Sequence, residues 1–209
     1  MPAPSPRTEI RRDERSAYDR PTIDAILDEA ILCHVGFLRD GAPVVFPMLH
    51  ARVGDDLLLH ASPASSFARA LSRTPEICVE VTILDGLVLA RSAFNHSANY
   101  RSVVLFGSAR KVTDLAERAA ALDAFTDKLV PGRRPHLRSM TEKEVRATAV
   151  FSLPIGEASA KVRSGPPVDE EEDYHLPIWA GVIPVVTSYG APLPDPRNLP
   201  DATVPELLG

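Results

Sequence analysis

The stretch His60-Ala61-Ser62-Pro63-Ala64-Ser65-Ser66 brings one imidazole and three hydroxyls to the point where an apolar run, Leu57-Leu58-Leu59, gives way to the helix-like Phe67-Ala68-Arg69-Ala70-Leu71. Serine followed by proline is a favourable helix start, which predicts Ser62 as N-cap and Pro63 as the first helical residue. The free N–H groups of such a turn, with the hydroxyls of Ser62, Ser65 and Ser66, converge on one spot and suit a phosphate. Taken alone, the same residues are more simply a capped helix without a ligand.

A second polar cluster, Asn99-Tyr100-Arg101-Ser102, stands directly before the apolar run Val103-Val104-Leu105-Phe106. Arg101 carries a fork of donors matched to phosphate or carboxylate, Asn99 and Ser102 offer hydrogen bonds to a heterocycle, and Tyr100 has a face on which a ring can rest. The competing reading is a salt-bridged rim of a barrel. His34, His50, His60 and His96 fall in or near strand-like segments, but no HxH or HExxH spacing joins them, and hydrogen-bonded histidines fit better than a metal centre. The chain has no nucleophile elbow, no GxGxxG and no GxxxxGK loop. Asn95-His96-Ser97 matches a glycosylation pattern of little weight in a cytoplasmic chain, and the acidic run 169–173 reads as a solvated loop.

The elements that must position these clusters are mostly strands. Residues 1–20 are polar and proline-dotted and read as an extended arm. Ile23, Ile26, Leu27 and Ala30 then recur at helical spacing behind Thr22 as a possible cap. Asp40-Gly41 and Gly54-Asp55, each flanked by β-type apolar residues, predict a three-stranded meander whose middle strand is irregular or at an edge because of Pro43 and Pro47. Two strand segments follow, 76–84 and 86–92, separated by Asp85. The clearest helix begins at Asp114, with Glu117 at capping-box spacing, carries Leu115, Leu122, Phe125 and Leu129 on one side, and stops at Pro131-Gly132. One or two helical turns at 141–148 and a last long strand broken at Pro154 complete the barrel domain, 21–186. Residues 187–209 form a proline-rich, irregular tail. The order lacks regular βαβ alternation, so the fold expected is a mostly antiparallel β-barrel with flanking helices.

The 209 residues, 44% of them hydrophobic and 24% charged, suit one globular domain. A net charge of -5 argues against a nucleic-acid surface, and no segment has the length and apolarity of a signal peptide or membrane span. A cytoplasmic protein is expected, with Cys33 and Cys78 as two reduced, buried thiols.

Taken in order, the early hairpins, LHASPASSFARAL, HSANYRSVVLFGSARKV, EASAKVRSGPP and WAGVIP resemble the flavin-nucleotide-binding branch of the pyridoxamine 5'-phosphate oxidase-like family, which includes the nitroimidazole reductases, over roughly residues 9–186. The resemblance implies an antiparallel split β-barrel, a homodimer, and FMN in grooves between the two subunits. It places the phosphate near His60, Ser62, Ser65, Ser66 and Arg101, and the ring along the strand around Val45, with Asn99, Tyr100 and Ser102 lining the other side. Trp179 would cover the partner subunit's flavin or anchor the dimer interface. Relatives carry Lys or Arg where this chain has Ser66, a charge that Arg69 or Arg101 would have to supply. The Arg-Leu-His-Asp-Arg type of segment that goes with vitamin B6 oxidation is missing. The implied activity is an FMN-dependent oxidoreductase acting on a small molecule. A nitroaromatic reductase, a non-catalytic flavin- or haem-binding protein and a deazaflavin protein are the alternatives, and neither nucleic acid nor membrane is implied as a partner.

Overall fold

The computed structural model describes residues 4–202 and 204. In chain order the elements are β1 (Ser16–Ala17), α1 (Arg20–Glu29), β2 (Leu32–Arg39), β3 (Ala42–Val53), β4 (Asp56–Ala61), α2 (Ser66–Leu71), β5 (Glu76–Leu89), β6 (Ser97–Ser108), β7 (Arg110–Lys111), α3 (Leu115–Leu129), α4 (Glu142–Arg146), β8 (Ala149–Pro154), β9 (Glu157–Arg163) and β10 (Gly181–Pro184). The strands form one antiparallel sheet in the order β1-β9-β6-β5-β2-β3-β4-β8-β7, with β10 added alongside β5. It curls into a half-barrel with its apolar face inward, as the split-barrel expectation requires. Among the described residues no helix is long and apolar enough to cross a membrane.

Strand alternation builds the core directly. Cys33, Val35 and Phe37 of β2, Ile77, Val79 and Val81 of β5, and Val103 and Leu105 of β6 all point inward and are buried. Ile23, Ile26 and Leu27 of α1 plug this face, and Phe67 of α2 meets Phe37 and Phe151 edge-on at 5.2 and 5.6 Å. Removing Phe67 by mutation to alanine would open a cavity costing roughly 3–5 kcal/mol. A second cluster, Ala51, Leu58, Val112, Ala121, Phe125 and Val150, packs under α3.

The meander forms at the expected turns. Asp40 and Gly41, both at positive φ (52° and 80°), make the two-residue hairpin between β2 and β3. Several local expectations are corrected. The cap of α1 is Asp19, which accepts from the Thr22 N–H at 2.9 Å, so Thr22 is already inside the helix. Segments 76–84 and 86–89 are one strand, β5, which pairs with β6 on both sides of a bulge between Leu84 and Gly86 where the register shifts; residues 90–92 lie beyond it. The last long strand is two: β8 pairs with β4, whereas β9 pairs with β6. The N-terminal arm lies against the barrel. Arg7 bonds Glu76 at 2.7 Å and also Glu157, its guanidinium sits 4.9 Å over the Phe106 ring, and Thr8 is buried.

Candidate functional site

The outward face of the sheet is where these strands leave work undone. Leu32, His34, Gly36 and Leu38 of β2, Pro43, Val45 and Pro47 of β3, and Cys78, Glu80 and Thr82 of β5 alternate with the core residues and face out. Leu32, Leu38, Val45 and Leu84 are between 43% and 63% exposed, an unusual density of bare aliphatics. Gly36 lies between Val45 and Cys78 in register. A Cβ built there would meet its nearest neighbour, the Cys78 carbonyl, at an ordinary 3.6 Å. The chain itself therefore does not require glycine at this place; its effect is a flat strip of bare backbone.

At one end of this face, a cavity of about 500 Å3 opens between the β2–β3 turn and α2. Arg39, Arg69 and Arg73 line it with Ser66 and Thr74. Against three guanidiniums stands one carboxylate, Asp40, 3.5 Å from Arg73, while Arg69 donates to the Ala64 carbonyl. The surplus of positive charge suits an anion with one or two phosphate groups. The helix does not begin at Pro63: the Ser62 carbonyl accepts from the Ser65 N–H at 3.0 Å in a tight turn, and Ser65 is the N-cap, accepting from the Ala68 N–H at 3.1 Å. The expected cap at Ser62 is thus displaced by three residues, and it is Ser66, the first helical residue, that reaches the cavity. Of the residues expected at the phosphate and ring, Ser66 lines this cavity, whereas Val45, Ser62 and Ser65 do not.

The second cluster lies elsewhere. Val45 and Phe106 share a row across β3, β2, β5 and β6, and Tyr100 stands six positions farther along β6. At about 3.3 Å per residue and about 4.8 Å per strand, Val45 and Tyr100 are roughly 24 Å apart along the sheet. Within one chain they do not line a common pocket. Tyr100 has Lys161 Nζ 5.9 Å from its ring centroid. Ser102 donates to the Lys161 carbonyl at 3.3 Å and borders a small cavity of about 190 Å3 beneath arm residues Arg7–Ile10. Asn99 is buried, donating to the Gly165 carbonyl at 3.1 Å and accepting from Arg163.

Arg101 faces the other way. Four of its N–H donors go to Asp85 (3.0 and 2.7 Å) and to both oxygens of Glu29 (2.7 Å to Oε1). These carboxylates hold the guanidinium charge firmly, and Arg101 in turn holds Glu29 below the ordinary glutamate value. Few donors remain for a phosphate. The barrel-rim reading describes this contact.

His60 sits half-buried with its ring edge-on to Phe125 at 4.6 Å, and desolvation lowers its pKa, favouring neutral imidazole. His50 is fully buried and bonded through Nε2 to the Leu27 carbonyl at 2.9 Å, while His34 Nδ1 lies 3.5 Å from Glu80. Trp179 packs on Gly181, where a Cβ would strike the indole at 2.9 Å, yet the residue stays 66% exposed. Its neighbours Tyr174, Leu176 and Ile178 are also exposed, with His175 among them. Sequence reasoning missed Arg39 and Arg73, since no local signal says that the Asp40-Gly41 turn rests against α2. It also missed Lys161 and Arg163, whose partners on β6 follow only from the β6–β9 register.

The sequence pattern of pyridoxamine 5'-phosphate oxidase matches residues 19–162. No curated protein matches the chain significantly. Among solved structures, the flavocytochrome Anf3 from Azotobacter vinelandii is 49% identical, with 99% of this chain and 96% of that one covered, at a TM-score of 0.92. An FAD- and haem-binding protein from Mycobacterium smegmatis is 42% identical over 92% of this chain and 94% of that one, at a TM-score of 0.87. A putative 5-nitroimidazole antibiotic resistance protein from Bacteroides thetaiotaomicron is 25% identical over 70% of this chain and 86% of that one, at 0.61.

Proposed function

The chain belongs to the pyridoxamine 5'-phosphate oxidase family, and on that footing we propose that it is a homodimeric flavin-binding oxidoreductase related to the flavocytochromes. The observation that carries this reading is the pairing of a bare sheet strip at Gly36 and Val45 with an arginine-lined cavity at its end. The flat strip suits the flavin ring, and Arg39, Arg69 and Arg73 with Ser66 suit its phosphate. When bound, the isoalloxazine supplies one- and two-electron redox chemistry, and the chain supplies position and charge. FMN is the flavin that the sequence resemblance implies. Three guanidiniums serve the diphosphate of FAD equally well, and chromatography of released flavin distinguishes the two.

The 24 Å separation of Val45 from Tyr100 gives the dimer its role. A second copy laid on the exposed outer face buries Leu32, Leu38, Val45 and Leu84, and brings the Tyr100 end of one chain toward the Gly36 end of the other. Trp179 then closes the groove or anchors the interface.

The test is Gly36→Val. A β-branched residue is at home in a strand and meets no backbone closer than 3.6 Å from its Cβ, so folding is expected to persist. Flavin affinity should fall at least tenfold with little change in Tm. Wild-type protein that takes up no flavin, or a variant that binds it equally well, would refute the reading.

A second reading, haem binding beside the flavin, is favoured by His60. A histidine that would hold haem iron must be neutral with a free ring nitrogen; burial lowers the His60 pKa, and the ring has no hydrogen-bond partner among the described residues. Haem would supply a one-electron iron couple. Reconstitution with haem should give a Soret band that His60→Ala weakens or shifts; an unaltered spectrum removes His60 from this role.

A further inference from the structure

Most of the half-buried guanidiniums of this chain have a carboxylate. Arg20 and Arg52 pair with Asp24, Arg91 with Asp169, and Arg101 with Glu29 and Asp85. Arg163, at the end of β9, has none within 4 Å among the described residues; its recorded side-chain partner is the Asn99 amide oxygen. Arg15 lines the same cleft; burial disfavours the Arg163 cation, the like charge of Arg15 adds to this, and Tyr100 acts the other way. Arg15 itself reaches only Glu14, at 4.0 Å. Two guanidiniums left together in a half-buried place cost stability unless an anion lies between them.

A cleft of about 390 Å3 opens at this spot. Arg15, Arg163, Ser16 and Ser164 line it together with one carboxylate, Glu14, whereas Val162, Pro166 and Val168 give it apolar lining. Val168 is 74% exposed. The volume falls in the range of small-molecule sites, and the mixture of a guanidinium pair with aliphatic wall specifies the ligand class. We propose that this cleft binds a small organic carboxylate, its carboxylate on Arg163 and Arg15 and its apolar body against Val162, Pro166 and Val168. The site lies at the N-terminal arm and β9, away from the arginine cavity at α2, and its existence does not depend on the flavin reading.

The experiment titrates the full chain, as purified, with benzoate, benzyl alcohol and inorganic phosphate, followed by calorimetry or amide chemical shifts. Benzoate should bind saturably, benzyl alcohol at least tenfold more weakly, and phosphate more weakly than benzoate. Arg163→Gln should lower benzoate affinity at least tenfold. Because this change also removes the bond to Asn99, Arg15→Gln is the decisive partner. It breaks no short contact, should reduce affinity at least threefold, and should leave the ligand-free Tm unchanged or higher, since it relieves like-charge repulsion. Benzoate binding that is absent, or indifferent to Arg15→Gln, overturns the proposal. Phosphate binding as tightly as benzoate overturns the assignment to organic carboxylates.

Discussion

Arg101 of β6 and Glu29 at the end of α1 form a two-pronged ion pair, and Asp85 at the β5 bulge takes two more donors of the same guanidinium. The contact ties the helix that plugs the barrel to the strand that carries Tyr100 and Ser102. Arg101→Ala should therefore act on stability more than on flavin binding. The loss expected is about 1–2 kcal/mol, because Glu29 is half exposed and solvent screens part of the attraction. Glu29 is held below its ordinary 4.5, so the pair stabilises the fold above that pH, and its contribution disappears as pH falls through the lower folded-state value. Denaturation at pH 7 should separate wild type from Arg101→Ala, and the gap should close in acid. A variant as stable as wild type at pH 7 would mean that the pair contributes nothing.

The cavity at α2 yields a charge test. Arg69→Ala and Arg73→Ala should each weaken flavin binding by about tenfold at low salt, the worth of one charge-assisted contact of about 1.5 kcal/mol. Ser66→Arg, which restores a cation at the first helical position, should tighten binding modestly, and the gain should shrink as salt is added. Arg110→Ala, which breaks an exposed pair with Glu117, serves as the control and should change nothing. Dissociation constants equal across all four variants at low ionic strength would remove the phosphate from this cavity.

What could be read from the chain before its structure follows the range of the forces involved. Asp40-Gly41, the Asp114 cap and the apolar alternation of β2, β5 and β6 act over a few residues, so their signals are local and were legible. The Asp114 cap holds, accepting from the Glu117 N–H at 2.8 Å, but the reciprocal half of a capping box is lost because Glu117 turns to Arg110. Ser62 and Thr22 misled for a related reason: each lies three residues from another capping oxygen, Ser65 and Asp19, and small differences decide between such nearby caps. The partners of Arg101, the contact of α2 with the β2–β3 turn and the Arg15–Arg163 encounter join residues far apart in sequence. No periodicity reports them.

Exposed aliphatics on the outer sheet face make the oligomer testable apart from the cofactor. Val45→Glu places a charge in the centre of the face, where β3 is open and the fold has no need of valine. Sedimentation should show wild type as a dimer at micromolar concentration and the variant as a monomer with nearly unchanged circular dichroism. If wild type sediments as a monomer, the composite groove is wrong, whatever the flavin titrations say.

The segment that leads to Trp179 is fastened by one buried acid. Asp169 has a fully enclosed side chain that accepts from the Arg91 backbone N–H at 2.9 Å and from its guanidinium at 3.0 Å, while Tyr174 lies under that guanidinium at 4.9 Å. The Arg91 bonds outweigh the cost of burial and lower the Asp169 pKa from 3.8. A depressed acid stabilises the fold above its unfolded value and ceases to do so as pH drops through the folded one, so this fastening should persist at neutral pH and loosen only in strong acid. Asp169→Asn keeps the shape but removes the charge that pairs with Arg91 and offers one carbonyl oxygen in place of two carboxylate oxygens. The expected result at pH 7 is faster proteolytic cleavage between residues 164 and 180 and a red-shifted Trp179 emission, with the barrel itself intact. Val182 against Gly86 gives β10 an independent hold, so the strand should stay paired and the damage should stay in the loop. Cleavage rates equal to wild type would show that Tyr174 and the neighbouring backbone keep the segment in place without the ion pair.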